Sequence, residues 1–120
     1  MVKLDLTYYN GKKVFITGYT GFKGTWLLCM LNRLGATVKG YALGPIGNND
    51  LFYQIGGKKL CDSVIANILQ KEKLEKEIFK FKPEVIFHLA AQPLVRLSYE
   101  IPAETFKVNV MGTLYLLEAV

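Results

Sequence analysis

The sequence is poor in the residues that build covalent or metal frameworks. Its two cysteines, Cys29 and Cys61, lack metal-ligand spacing and offer no disulfide scaffold, which suits a reducing cytosol. One histidine, His88, leaves no cluster for a metal and no supported Ser-His-Asp arrangement. Long apolar runs are also missing: Trp26 to Leu31, the longest strongly apolar stretch, falls far short of the roughly 18 residues of a spanning helix. The start, Met1 to Leu6, has neither a hydrophobic segment nor a small-residue cleavage site, so no secretory leader is expected. Arginine is scarce as well, with only Arg33 and Arg96 among fifteen basic residues. The formal charge of +5 therefore rests on dispersed lysines, and no basic stripe or aromatic-basic motif points to nucleic acid. These absences predict a soluble cytoplasmic chain with no membrane and no nucleic-acid partner.

What is present is apolar and periodic. At 120 residues and 51% hydrophobic content, the chain is too apolar for a disordered tail and long enough for one domain. Lys13-Val14-Phe15-Ile16-Thr17 reads as a buried strand stopped by Gly18. Thr25 to Leu34 reads as a helix closed by Gly35, with Trp26 and Met30 in the core. Ala36 to Leu43 reads as a second strand, ending in the breaker-rich segment Gly44-Pro45-Ile46-Gly47-Asn48-Asn49-Asp50. Ser63 to Ala66 is a third strand candidate. Gln70 to Phe81 carries Leu74, Ile78 and Phe81 at helical spacing, and its alternating charges from Lys71 to Glu77 mark a solvated face. After Pro83, Val85 to Ala90 forms a fourth strand. A last helical pattern starts near Pro102 and carries Phe106, Val110, Leu114 and Leu117. The order β-α-β-β-α-β-α, with near-continuous apolar strands, predicts an α/β fold: a Rossmann-type doubly wound parallel sheet, here incomplete. Leu116 to Val120 ends inside an amphipathic pattern without a cap, which reads as an interrupted chain.

The most specific feature is Gly18-Tyr19-Thr20-Gly21-Phe22-Lys23-Gly24, between the first strand and the first helix. Gly18 lets the chain leave the strand in a tight turn. Gly21 lets backbone approach a pyrophosphate, and Gly24 permits close packing of the helix. Amides near residues 21 to 24 then face a phosphate at a helix N-terminus. Lys23 reads equally as a counter-charge to pyrophosphate or as a solvated first-turn residue. Ala90, Ala91 and Gln92 sit at the C-terminal end of the fourth strand, where open α/β sheets bind ligands. His88, inside an apolar run, reads as a core histidine satisfied by a neighbour, and Asn109 is mid-helix, where its side chain needs a reason.

With Thr17 in front, the glycine-rich string resembles the extended short-chain dehydrogenase/reductase family. The strings Phe87-His88-Leu89-Ala90-Ala91-Gln92-Pro93-Leu94-Val95-Arg96 and Asn109-Val110-Met111-Gly112-Thr113 are similar to its sugar-nucleotide-modifying branch, most closely the CDP-glucose 4,6-dehydratases. The resemblance runs from about Lys12 to Val120 and spans the first third of such an enzyme. It implies NAD as cofactor and a nucleotide sugar, CDP-glucose, as substrate. The reaction it implies takes hydride from sugar C4 to NAD, eliminates water across C5 and C6, and returns hydride to C6. It implies cofactor contacts from the turn (Gly18, Tyr19, Thr20, Gly21, Phe22, Lys23, Gly24), adenine contacts from Asn67 and Ile68, and a nicotinamide-side wall from Leu89, Ala90, Ala91 and Gln92. It further implies that Asn109 steadies backbone near the cofactor, that Gln92 and Arg96 face the substrate, and that the complete enzyme is a homo-oligomer.

Four departures qualify this picture. Tyr19 stands where the family usually carries His, and Asn67 where it has an Asp for the adenine amino group, although an amide oxygen still accepts that bond. The end of the second strand, Ala42-Leu43-Gly44, holds neither an acid for ribose hydroxyls nor an Arg for a 2′-phosphate, so these residues leave NAD and NADP open while the resemblance favours NAD. The family's Tyr-x-x-x-Lys pair, whose lysine lowers the tyrosine pKa, is matched only by Tyr8/Lys12 and Tyr9/Lys13, which precede the first strand. No catalytic residue is therefore expected in this chain. Residues 1–120 read as the N-terminal part of a dinucleotide-binding domain, inactive alone and lacking the catalytic and substrate-binding portions. A stand-alone nucleotide-binding module, or a related epimerase or reductase, is the alternative.

Overall fold

A computed structural model describes residues 5–45, 47 and 49–120; Met1–Leu4 of the start and Ile46 and Asn48 of the breaker-rich segment lie outside the described residues. Four parallel strands, β1 (Lys13–Thr17), β2 (Thr37–Ala42), β3 (Asp62–Ile65) and β4 (Val85–His88), form one sheet in the order β3-β2-β1-β4. Val14 faces Val38 on one side and Val85 on the other, and Thr17 faces Tyr41 and His88.

Alternation along β1 sorts the two cores. Val14 and Ile16 pack with Leu28 and Leu31 of α1 (Phe22–Arg33) and Phe52 of α2 (Leu51–Gln54). Phe15 points the other way, into Tyr41, Ile68, Leu74 and Ile78 of α3 (Lys71–Phe81), and Leu116. A sheet covered on both faces needs such apolar strands, and each fully buried side chain contributes about 1.5–3 kcal/mol. The doubly wound α/β expectation is met.

Several local expectations are corrected. Trp26 and Met30 are 54% and 57% exposed rather than buried. With Phe22 they recur every four residues on one helix face, while Leu28 and Leu31 occupy the face turned to the sheet. Strand β4 stops at His88, and its four residues are half-buried because the strand has only β1 beside it among the described residues. The segment after it is not plain loop: α4 (Val95–Glu100) follows. The last helical pattern is broken into α5 (Pro102–Phe106), a π-helical turn over Lys107–Met111 and α6 (Gly112–Ala119). Phe106, Val110, Leu114 and Leu117 stay exposed, and α6 docks through Gly112 and Leu116. Gly112 sets the approach, since a Cβ there would lie 2.8 Å from Ile68 Cγ2.

Candidate functional site

The C-terminal ends of all four strands open on one rim of the sheet, and the glycine-rich turn lies across it. The three glycines of the turn are not equivalent. Gly18 has φ of +75°, and a Cβ there would meet Ala90 N and Leu89 C at 2.7 Å. A Cβ on Gly24 would lie 2.1 Å from Gly18 O. The fold itself thus demands glycine at both positions. Gly21 has ordinary dihedrals (φ −74°, ψ 173°), and its nearest neighbour to a Cβ would be Gly18 O at 3.4 Å. It is exposed and caps α1 without a side-chain hydrogen bond, so the first-turn amides of Phe22, Lys23 and Gly24 meet no side-chain cap. Phe22 and Lys23 are exposed beside it.

Two side chains of the turn are engaged elsewhere. Tyr19 is fully buried: its ring lies edge-on to Phe52 (5.3 Å between centroids), and its hydroxyl pairs with Ser63. Only its backbone is left for a ligand. Burial pushes the Tyr19 phenol above its usual pKa, so it carries no phenolate for chemistry. Thr20 Oγ1 donates to Leu43 O at 2.7 Å, tying the turn to the end of β2. Beside it opens a cleft of about 650 Å³, lined by Thr20, Gly21, Phe22, Leu43, Asp50 and Gln54 among others. Asp50, well beyond Ala42-Leu43-Gly44 in sequence, brings an acidic residue to the same cleft as Leu43.

At the end of β3, Asn67 O accepts from the Tyr41 hydroxyl (3.0 Å), and Asn67 Oδ1 accepts from Leu69 N (2.9 Å). The Ile68 side chain is buried in the core against Gly112. Any ligand contact from Ile68 is therefore a backbone contact.

Past β4, Leu89 is exposed and Ala90 half-buried, and both amides donate to Thr17 Oγ1 at 3.1 Å. The Gln92 side chain turns back on its own loop. Its Oε1 accepts from Leu94 N (2.8 Å), and its Nε2 donates to Thr105 Oγ1 (3.0 Å) and Leu94 O (3.3 Å). Asn109 explains the π-helical turn that holds it: Oδ1 accepts from Gln92 N (2.8 Å) and Nδ2 donates to Gln92 O (3.2 Å). A wide turn of this kind re-aims one side chain out of helical register. Arg96 is exposed and, among the described residues, pairs with Glu100 at 3.8 Å. Tyr8 and Tyr9 lie in a 3-10 turn before β1, at the opposite end of that strand from the glycine-rich turn.

Sequence reading missed Thr17 as a hub. The signal in the sequence is a polar residue closing an otherwise apolar strand; the structure buries it fully. His88 is satisfied as expected, between Thr17 and Thr113. Burial holds its imidazole below the usual 6.5. The native state therefore takes up this proton less readily than the unfolded chain. The stabilisation is complete above pH 6.5 and is lost as pH falls through the depressed native value. Between about pH 7 and about pH 5 the thermal midpoint of the parent should drop more than that of His88→Asn, followed by circular dichroism. Among the described residues no three His, Cys, Asp or Glu side chains gather as a metal site, and no helix is long and apolar enough to cross a membrane.

Comparison with known proteins adds independent findings. A family model described as GDP-mannose 4,6 dehydratase matches residues 15–120. The chain is 53% identical over 117 residues to a CDP-glucose 4,6-dehydratase of Salmonella typhimurium, covering 98% of this chain and 33% of that protein. It is 36% identical over 107 residues to a UDP-glucose 4-epimerase of Mycolicibacterium smegmatis, covering 89% of this chain and 34% of that one. Among solved structures, the epimerase Mth375 of Methanothermobacter thermautotrophicus superposes with a TM-score of 0.82 at 32% identity, over 95% of this chain and 33% of that one. The UDP-glucose 4-epimerase of Brucella ovis in complex with NAD gives 0.77 at 28%, over 91% and 32%. The chain spans about one third of the length of these relatives.

Proposed function

The chain belongs to the GDP-mannose 4,6 dehydratase family, and from that membership we propose that it is the NAD-binding portion of a nucleotide-sugar 4,6-dehydratase acting on CDP-glucose. The observation that carries this reading is Gly21, the one glycine of the turn that the fold does not require. An open Cα at an uncapped helix start is what a pyrophosphate needs for close approach to backbone amides. Gly18 and Gly24 shape the turn, and Gly21 with the amides of Phe22, Lys23 and Gly24 receives the diphosphate. Asn67 and the Ile68 backbone meet adenine. Leu89, Ala90, Ala91 and the Gln92 backbone form the nicotinamide-side wall, which Asn109 holds.

NAD, when bound, supplies the hydride acceptor. NAD rather than NADP is supported by Asp50 on the cleft wall, where a carboxylate disfavours a 2′-phosphate, and by the NAD found with the Brucella relative. CDP-glucose as substrate is supported by 53% identity to the CDP-glucose enzyme against 32% to a GDP-mannose 4,6-dehydratase of Vibrio cholerae. The structural likeness to epimerases favours a second reading, an epimerase of the same superfamily. The Gln92-Pro93-Leu94-Val95-Arg96 string weighs against it.

Titration calorimetry of the purified chain is expected to show saturable NAD binding. Incubation with CDP-glucose and NAD is expected to yield no 4-keto product, since the Tyr/Lys spacings lie away from the rim. A folded chain that ignores NAD overturns the binding reading. Measurable dehydration overturns its inactivity alone.

A further inference from the structure

His88 is the one histidine of the chain, and the reading above gives its ring nothing to do. It lies between two threonines. Its Nδ1 is 2.6 Å from Thr17 Oγ1, and its Nε2 is 3.0 Å from Thr113 Oγ1. A count of protons decides the tautomer. The Thr113 hydroxyl has one proton and gives it to Asn109 O, so towards Nε2 it can only accept. Thr17 Oγ1 accepts the Ala90 amide, shares the Leu89 N–H with Thr17 O (3.1 Å), and donates its own proton to Nδ1. Nδ1 is therefore bare and the ring proton sits on Nε2, which donates to Thr113 Oγ1. The Thr113 hydroxyl in turn donates to Asn109 O at 2.7 Å. The Asn109 side chain then closes the circuit on Gln92 N and O.

We propose that His88 is a positioning residue: as the neutral Nε2–H tautomer it ties the end of β1 to the π-helical turn, and so holds the Leu89–Gln92 segment in shape. That this segment is a cofactor wall rests on the function proposed above; the tautomer and the tie do not. An imidazolium would aim a second N–H at Thr17 Oγ1, whose own proton would then lose its acceptor, while the Leu89 amide would keep Thr17 O at 3.1 Å. Ionisable groups of the packed elements are turned elsewhere. Lys13 of β1 lies over the Phe81 ring, Glu118 pairs with Lys71 at 2.6 Å, the Tyr115 ring lies under that same lysine, and Lys107 is exposed. Burial alone lowers the proton affinity of the ring.

Because there is one histidine, a long-range nitrogen–proton NMR spectrum of the labelled chain reads its tautomer without assignment. The expected result at neutral pH is a protonated Nε2 and a bare Nδ1; the opposite tautomer or a charged ring overturns the proposal. Amide exchange is the second readout. His88→Phe and Thr113→Val are each expected to speed exchange of the Gln92 amide by about tenfold, as one loosened hydrogen bond allows. Thr113→Ser, which keeps the hydroxyl, is expected to restore it. Thr113→Val should leave the Leu89 and Ala90 amides protected, and it carries the test if His88→Phe does not fold. Unchanged Gln92 exchange in Thr113→Val, or no rescue by Thr113→Ser, overturns the tie. These readouts need no ligand, so they stand or fall separately from NAD binding.

Discussion

Gly24→Ala is expected to abolish the fold, whereas Gly21→Ala should leave it standing and remove dinucleotide binding. The two glycines are three residues apart, but their surroundings differ in kind. A Cβ on Gly24 would lie 2.1 Å from Gly18 O and 2.8 Å from Tyr19 Cα, and both obstacles are backbone. No side chain can swing aside, so α1 would have to lift from the turn. That strips Leu28 and Leu31 of their contacts with the sheet, a loss above about 4 kcal/mol against a whole-domain stability of about 5–15 kcal/mol. Gly18→Ala should act in the same direction, because it combines φ of +75° with a clash at 2.7 Å from Ala90 N. Gly21→Ala meets nothing closer than 3.4 Å and sits at an ordinary φ of −74°. Its stability should change by less than about 1 kcal/mol, and its NAD affinity should fall by more than about tenfold, because the new methyl stands where the diphosphate approaches. Thermal denaturation and NAD titration of the same three variants check both halves. If Gly21→Ala binds NAD like the parent, the phosphate cradle is not at this turn.

How much of this was legible beforehand follows from which interactions are local. Strand β1 was readable because Val14, Phe15 and Ile16 are apolar on both faces and Gly18 stops the run. The glycine-rich turn was readable because its chemistry lies in consecutive residues. Trp26 and Met30 read as core from sequence because a stretch rich in Leu, Met and Trp has no polar face by which to orient it. Only the packing of Leu28 and Leu31 onto β1 and β2 shows which stripe is buried. Gln92 shows the same limit at the site. Its type suits a ligand, but Leu94 and Thr105 occupy its amide, and Thr105 arrives from α5. The π-helical turn was unreadable for a related reason: Asn109 is out of helical register only because Gln92, seventeen residues earlier, offers both an N–H and a C=O to one side chain.

Tyr19→Ala should be the second severe loss, at about 3–5 kcal/mol, although Tyr19 lies inside the phosphate-binding motif. Its ring is wholly enclosed, edge-on to Phe52, above a strand position that only glycine fits. A Cβ on Gly40 would lie 2.4 Å from the Tyr19 ring. The ring therefore sets the height at which the turn rides over β2, and its hydroxyl fixes the ring to Ser63 at β3. Tyr19→Phe keeps the ring and should cost only about 1 kcal/mol, the worth of one hydrogen bond, with NAD affinity almost unchanged. A fall in affinity without a fall in stability would instead place the Tyr19 hydroxyl on the ligand. The packing claim has its own check. Gly40→Ala should be strongly destabilising in the parent but much less so in the Tyr19→Ala background, where the removed ring leaves room for the methyl. Additive costs, measured by denaturant unfolding of the four chains, would mean that the two residues do not share a contact.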